Sequence, residues 1–169
     1  MIEGYKVFDA NMKNMYGEEF KVGETYHCPG PIAFGTQGQG WHFCKRLEDA
    51  LRYAVGLGEN FIVCAVTGFG KIIESFDDYN EYYDMYSASD MIINKALTRQ
   101  EIIDYIVEAN DFQIKRFISL YKLNPEEIKL FKNLFADSEL IMNAIAYYQE
   151  GDKEVYTRVN EGLNLKHLK

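Results

Sequence analysis

No apolar run in this sequence approaches the roughly 18 residues that a membrane-spanning helix needs. Its start, Met1-Ile2-Glu3-Gly4-Tyr5-Lys6, lacks the basic-then-apolar layout of a secretory signal. Both absences point to the cytoplasm. Cysteine is scarce: Cys28, Cys44 and Cys64 make an odd count without paired spacing, which argues against a disulfide framework and leaves buried thiols as the reading. Positive charge is also scarce. Against 26 Asp and Glu stand 18 Lys and Arg, for a formal net charge of −8, and no basic cluster offsets it. Direct binding to nucleic acid or to an anionic membrane is therefore not expected. No signature recurs at a fixed period, so a repeat architecture is excluded.

Apolar and aromatic residues are plentiful. Hydrophobic residues make up 47% of the 169 positions, with 13 Tyr and 11 Phe, a composition that folds rather than staying disordered. The predicted fold class is α+β: a small mixed or antiparallel sheet with one or two short helices in the N-terminal half, then an antiparallel helical C-terminal bundle. The expected domains are 1–95, strand-rich, and 96–169, helical and packed against the first. Gly4 to Phe8 alternates as a strand does, and Phe20 to Tyr26 has the same period interrupted by Gly23, as in a strand with a bend. Pro29 to Gly40 holds two Pro and four Gly and reads as a loop. Arg46 to Val55 has helical spacing, Phe61 to Val66 reads as a buried strand, and Gly68 to Gly70 as a turn before a further strand at Lys71 to Ile73.

The helical half is marked by its caps. Thr98-Arg99-Gln100-Glu101 is a capping-box sequence, a second helix begins near Asp111, and Asn124-Pro125-Glu126-Glu127 opens a third with Asn at the cap and Pro at the first helical position. Asp137 or Ser138 caps a fourth, and a last short helix follows Asp152 through Val155, Tyr156 and Val159.

Three constellations offer chemistry. His42 lies between Trp41 and Phe43 directly after the glycine-rich loop, as a structural histidine or as one wall of an aromatic pocket. His27, Cys28, His42, Cys44 and Cys64 are the residue types that bind zinc, but they lack the paired knuckle spacing, and a Cys44 nucleophile with His42 has no further support; no metal is expected. Glu74 to Asp90 carries Glu74, Asp77, Asp78, Glu81, Asp84 and Asp90 with no Lys or Arg, interleaved with Tyr79, Tyr82, Tyr83 and Tyr86. It reads either as a solvated loop or edge strand, or as a docking surface in which tyrosines supply contact area and carboxylates complement a basic partner. Its partner-binding residues would be Asp77, Asp78, Tyr79, Glu81, Tyr82, Tyr83, Asp84 and Tyr86.

Tyr5-Lys6-Val7-Phe8, Phe20-Lys21-Val22-Gly23-Glu24-Thr25-Tyr26, Gly40-Trp41-His42-Phe43-Cys44 and Leu47 to Tyr53 resemble a poorly characterised family of small phage and bacterial proteins over Tyr5 to Ile73. That resemblance implies a mobile-element setting, hence a host cytoplasm and an accessory or counter-defence role of the anti-CRISPR type. The order of Gly40 to Phe43, Ala50 to Tyr53 and Phe61 to Gly70 is also similar to the ADP-ribosyltransferase fold. This second likeness implies NAD as cofactor, Asp90 in the place of the catalytic Glu, and His42, Tyr53 and Asp90 as the alternative catalytic set, with Tyr5-Lys6 where a His or Arg would hold the dinucleotide. The first expectation is thus a protein that inhibits a host nucleic-acid enzyme, a CRISPR nuclease among them, by occupying its basic surface, with no catalytic residues and no cofactor. The alternative is an NAD-dependent transferase acting on a host macromolecule, and self-association through the C-terminal helices is a third course.

Overall fold

The structure, a computed structural model, describes residues 1–34, 38–76 and 84–155. It is an α+β chain that separates into two compact units, Met1–Ile102 and Ile103–Lys169. The boundary falls later than residue 95 because the chain stays tied to the sheet beyond the last strand. Leu97 N–H donates to the Val63 carbonyl at 2.8 Å, and the Lys95 ammonium pairs with Glu101 in the first turn of the next helix.

The first unit holds β1 (Ile2–Phe8), β2 (Thr25–His27), β3 (Trp41–Cys44), α1 (Leu47–Ala50) with a 3-10 turn at Leu51–Ala54, β4 (Ile62–Phe76) and β5 (Asp84–Ala96). All pairings are antiparallel, in the order β2-β5-β3-β1-β4, and β4 also pairs with β5. Four strands therefore form a closed ring of pairings, which spares the sheet most of its open edges. The ring is weakest between β1 and β3, which share one register pair, Tyr5↔Cys44.

Alternation sorts the side chains of β1. Gly4, Lys6 and Phe8 stand opposite Val66, Cys64 and Ile62 of β4, and cross-strand partners share a face. That face is the core, where Phe8, Phe20, Phe43, Cys64, Val66, Tyr86, Ala88, Met91 and Ile93 cluster. Phe43 is 2% exposed and stacks on Tyr86, ring centroids 5.5 Å apart. The opposite side of β1 meets α1 and the turn after it.

Three expectations need correction. Gly68 to Gly70 is not a turn: β4 runs through it with a bulge between Phe69 and Ile72. Gly70 takes φ +73° there, and the displaced Lys71 N–H donates to Ser89 Oγ at 2.9 Å instead of to a ladder carbonyl. Phe20 to Tyr26 is not one strand, since Phe20 leaves the sheet to bury its ring 5.0 Å from Phe8 and only Thr25–His27 pairs with β5. Tyr86 is not a docking residue, because at 7% exposure it belongs to the core.

The caps expected at Thr98, Asn124 and Ser138 are present, and Asn110 supplies one that the sequence reading did not name. Within the chain, α2 (Arg99–Ile106) begins after Thr98, whose Oγ1 accepts from Glu101 N–H at 3.2 Å while Glu101 accepts from Thr98 N–H at 2.9 Å. Asn110 and Asn124 form complete capping boxes for α3 (Asp111–Leu120) and α4 (Pro125–Leu134), and Ser138 caps α5 (Glu139–Ala144). The last helix continues as a π-helical turn at Ile145–Gln149. Gln149 uses that turn to donate to the carbonyls of Ile118 and Tyr121 at 2.7 and 2.8 Å and to accept from Leu123 N–H at 2.9 Å, satisfying backbone groups that the end of α3 leaves open. Asn124→Ala removes the side-chain acceptor for Glu127 N–H, leaving the backbone arm of the box, and is expected to destabilise the second unit by about 1 kcal/mol, measured by chemical denaturation followed by helical circular dichroism. Among the described residues no helix is long and apolar enough to cross a membrane. The helix expected after Asp152 falls mostly outside the described residues.

Candidate functional site

Where β1 and β3 diverge beyond Tyr5↔Cys44, a cavity of about 220 Å³ opens in the first unit. That is room for roughly seven waters or one substituted ring, below the roughly 300 Å³ at which drug-sized pockets begin. Tyr5, Lys6 and Val7 line it from β1, His42 to Cys44 from β3, Ala50, Tyr53 and Leu57 from the helical turn, Phe34 from the glycine-rich loop, and Met85 from β5. Asn14, Met15 and Tyr16 close the remaining side. Met15 and Tyr16 are 72% and 79% exposed and Tyr53 is 41% exposed, so three of the large exposed hydrophobic side chains gather at one cleft. Such gathering marks a contact site, whereas scattered ones do not.

Among the described residues Lys6 is its one charged lining side chain. The strand alternation turns it toward the core side of β1, opposite the buried Cys64, and its Nζ donates to the His42 carbonyl at 2.6 Å. The ladder between β1 and β3 does not extend to His42, and the ammonium reaches across the gap instead. Burial pushes the Lys6 ammonium from its ordinary 10.5 down to about 8, with Cys44 and Glu18 pulling the other way. No carboxylate pairs with it among the described residues, and Glu18 acts on it only through space.

His42 stacks on Phe34, centroids 5.4 Å apart, and its Nε2 lies 3.3 Å from the Ala33 carbonyl. A carbonyl only accepts, so Nε2 carries the hydrogen and Nδ1 is left as an acceptor. Burial lowers the His42 pKa, the Ala33 carbonyl opposes that shift, and Lys6 adds to it, so the ring is neutral at neutral pH. The loop that brings Phe34 and Ala33 here is closed by Ala33 N–H donating to the Gln39 carbonyl at 2.9 Å. Gly40 then turns it back at φ +107°, where a Cβ would collide with Ser87 Oγ. Burial raises the Tyr5 phenol, as do Glu3 and Glu48, so it stays protonated.

The structure brings His42 and Tyr53 into one cleft and leaves Asp90 out of it. Asp90 stands opposite His27, whose Nδ1 lies 2.7 Å from Oδ1, and accepts from Ser89 Oγ at 2.6 Å. Ser89, and then His27, hold its carboxyl below the usual range, and the group ties β2 to β5 beside the bulge. Ser89, Asp90 and His27 do not make a nucleophilic triad, because the hydroxyl donates to the carboxylate instead of to the imidazole. Of the acidic docking set, Asp77, Asp78, Tyr79, Glu81, Tyr82 and Tyr83 lie outside the described residues, and Asp84 opens β5 opposite Phe76.

Among the described residues no group of three or more His, Cys, Asp or Glu side chains is arranged to hold a metal. No disulfide joins Cys28, Cys44 and Cys64, and burial alone pushes the Cys64 thiol up to about 12. Cys44 and Cys64 are buried and Cys28 is partly exposed, so a thiol reagent on the native protein is expected to modify Cys28 first, with the other two reacting only on unfolding. Mass spectrometry of the timed reaction checks this.

A family model described as a domain of unknown function, DUF7666, matches residues 2–105. The chain belongs to that family. The matched span nearly coincides with the first compact unit, so the DUF7666 domain here is the ring of strands with β2, α1, its cleft and nearly all of α2. No curated protein and no solved structure matches the chain.

Phe34 and Met85 line the cleft and were not assigned to a site from the sequence, whereas Tyr5-Lys6 entered only through the ADP-ribosyltransferase likeness. Lys6 was nonetheless signalled: in a strand with Gly4 and Phe8 inward, the residue between them shares their face.

Proposed function

We propose that the DUF7666 domain binds a small planar ligand with an anionic or carbonyl group in the cleft between β1 and β3. The observation that supports this most is the ammonium of the cleft-lining Lys6, desolvated and met among the described residues by the His42 carbonyl and the Phe8 ring but by no carboxylate. A buried cation without a carboxylate destabilises the fold, and such strained electrostatics gather at functional sites. An anion or a polarised carbonyl beside Nζ would relieve it, while Phe34, Tyr16 and Tyr53 offer faces to a ring. Protein purified without denaturation is expected to release, on unfolding, a small ring-bearing acid or carbonyl compound that the Lys6→Met protein lacks. Identical small-molecule extracts from the two proteins would contradict the reading.

The transferase alternative receives less support. His42 and Tyr53 are in place, but no Asp or Glu lines the cleft among the described residues, and the cavity is too small for a whole dinucleotide. Without a carboxylate near the sugar carbon, nothing would stabilise the charge that develops when a nicotinamide bond breaks.

The hairpin favours a second reading, that of an accessory protein docking on a basic surface of a host nucleic-acid enzyme, a CRISPR nuclease being one. Pairing of β4 with β5 continues to Phe76↔Asp84, so Asp77, Asp78 and Glu81 belong to the connection between two long strands. Replacing these three and Asp84 by their amides is expected to abolish a salt-sensitive, stoichiometric inhibition. Undiminished inhibition by the amide variant would refute it.

A further inference from the structure

We propose that Lys6 is a nucleophile, and that the ligand of the cleft carries an aldehyde or ketone which Lys6 captures as an imine. The inference rests on the ligand-binding reading above and adds the reacting group. Lys6 lines the cleft, as does His42, and the Lys6 Nζ is held by one hydrogen bond to the His42 carbonyl, an acceptor indifferent to whether the nitrogen carries two hydrogens or three. Groups able to carry protons line the same cavity: the phenols of Tyr5 and Tyr53, and His42, whose Nδ1 is an acceptor. Phe34, Tyr16, Met15 and Met85 add largely apolar walls against which the carbon skeleton of such a ligand would pack.

The step balances without an oxidant or cofactor. The uncharged Nζ adds its lone pair to the carbonyl carbon, the carbonyl π pair moves to oxygen, and that oxygen takes up the first of the two protons that the nitrogen gives up. The two amine hydrogens and the oxygen then leave as one water, and a C=N bond remains. The environment of Lys6 prepares the amine: with its pKa at about 8, about half of it is unprotonated at pH 8, against roughly one percent or less for an ordinary lysine. The groups acting on it are Cys44 from β3, Glu18 from the loop after β1, and the neutral His42.

The test uses the full-length protein at pH 8 with para-formylbenzoate and cyanoborohydride, followed by peptide mapping, with benzoate as the unreactive comparator. The Lys6 peptide is expected to be labelled tenfold or more faster than any other lysine, and benzoate is expected to slow that labelling. Lys6→Arg is expected to end labelling at this position while keeping saturable benzoate-induced shifts of the His42 resonances, because a guanidinium holds an anion but does not form the imine. If benzoate shifts His42 but Lys6 is labelled no faster than the other lysines, the imine is overturned and the binding reading stands. If benzoate neither shifts His42 nor protects Lys6, both fall. Unchanged Trp41 emission in each variant establishes that it is folded.

Discussion

Lys6→Met is expected to raise the stability of the DUF7666 domain by about 1–2 kcal/mol at pH 7 while abolishing ligand capture. Methionine has nearly the length of lysine without the ammonium, and it faces Cys64 and the ring of Phe8 as readily as the lysine stem does. The gain is reduced because the His42 carbonyl loses its 2.6 Å donor. The pH dependence identifies the cause. In the unfolded chain Lys6 keeps its proton up to an ordinary 10.5, but in the folded protein only up to about 8. Between those values the unfolded state binds more protons, so the lysine protein gains stability as pH rises. The advantage of Lys6→Met is therefore full below pH 8 and gone near pH 10.5. The Cys64 thiol, raised to about 12, acts the opposite way by removing stability above its ordinary 9.0, so the difference between the two proteins is the quantity to follow. The chain has one tryptophan, Trp41 in β3, so its fluorescence reports this unit. A constant difference from pH 6 to 10 would exclude the buried ammonium as its source.

The second large effect concerns Phe43. A Cβ on Gly68 would lie 2.5 Å from Cε1 and Cζ of this ring and 3.0 Å from the Ala88 Cβ. On its other side Gly4 holds the ring equally closely, a Cβ there lying 2.7 Å from Cδ2 and colliding with the Cys44 carbonyl. Fixed between two glycines and stacked on Tyr86, the ring has nowhere to move. Gly68→Val is expected to destabilise the first unit by about 3 kcal/mol, and Gly68→Ala by about 1–3 kcal/mol. Phe43→Leu in the Gly68→Ala background relieves the overlap, so the double variant is expected to be more stable than the two single effects predict by about 1–2 kcal/mol. Strict additivity in urea unfolding would show that Phe43 and Gly68 do not compete for this space.

Much of the architecture was legible because local chemistry decides it. Thr98, Asn110, Asn124 and Ser138 accept hydrogen bonds from their own helices, and such caps depend on residues three positions away. The alternation in β1 likewise depends on its neighbours. Features set by distant pairing were less legible. Gly68 to Gly70 has the composition of a turn, and what makes it a bulge is the hydroxyl of Ser89, well along the next strand. Tyr86 has the composition of a docking surface, yet the register Phe43↔Tyr86 buries it. Asp90 was read as a catalytic acid from its place in the order of elements, but pairing with β2 hands its carboxylate to His27. In the cleft, His42 stood out as a titratable residue among aromatics after a glycine-rich loop, and Tyr53 entered through the likeness to the ADP-ribosyltransferase fold. Lys6 was seen only as an unusual residue in a familiar position, since its burial follows from a ring closed at one pair, Tyr5↔Cys44.

The central claim is that Lys6 carries a desolvated ammonium at a ligand-binding cleft, and nuclear magnetic resonance of its ε-carbon across a pH titration tests it most directly. The resonance is expected to titrate near pH 8 in the free protein, and saturating benzoate is expected to move that midpoint upward, because an anion beside Nζ favours the charged form. An ordinary midpoint near 10.5, unmoved by benzoate, would contradict both the desolvated ammonium and the site built on it.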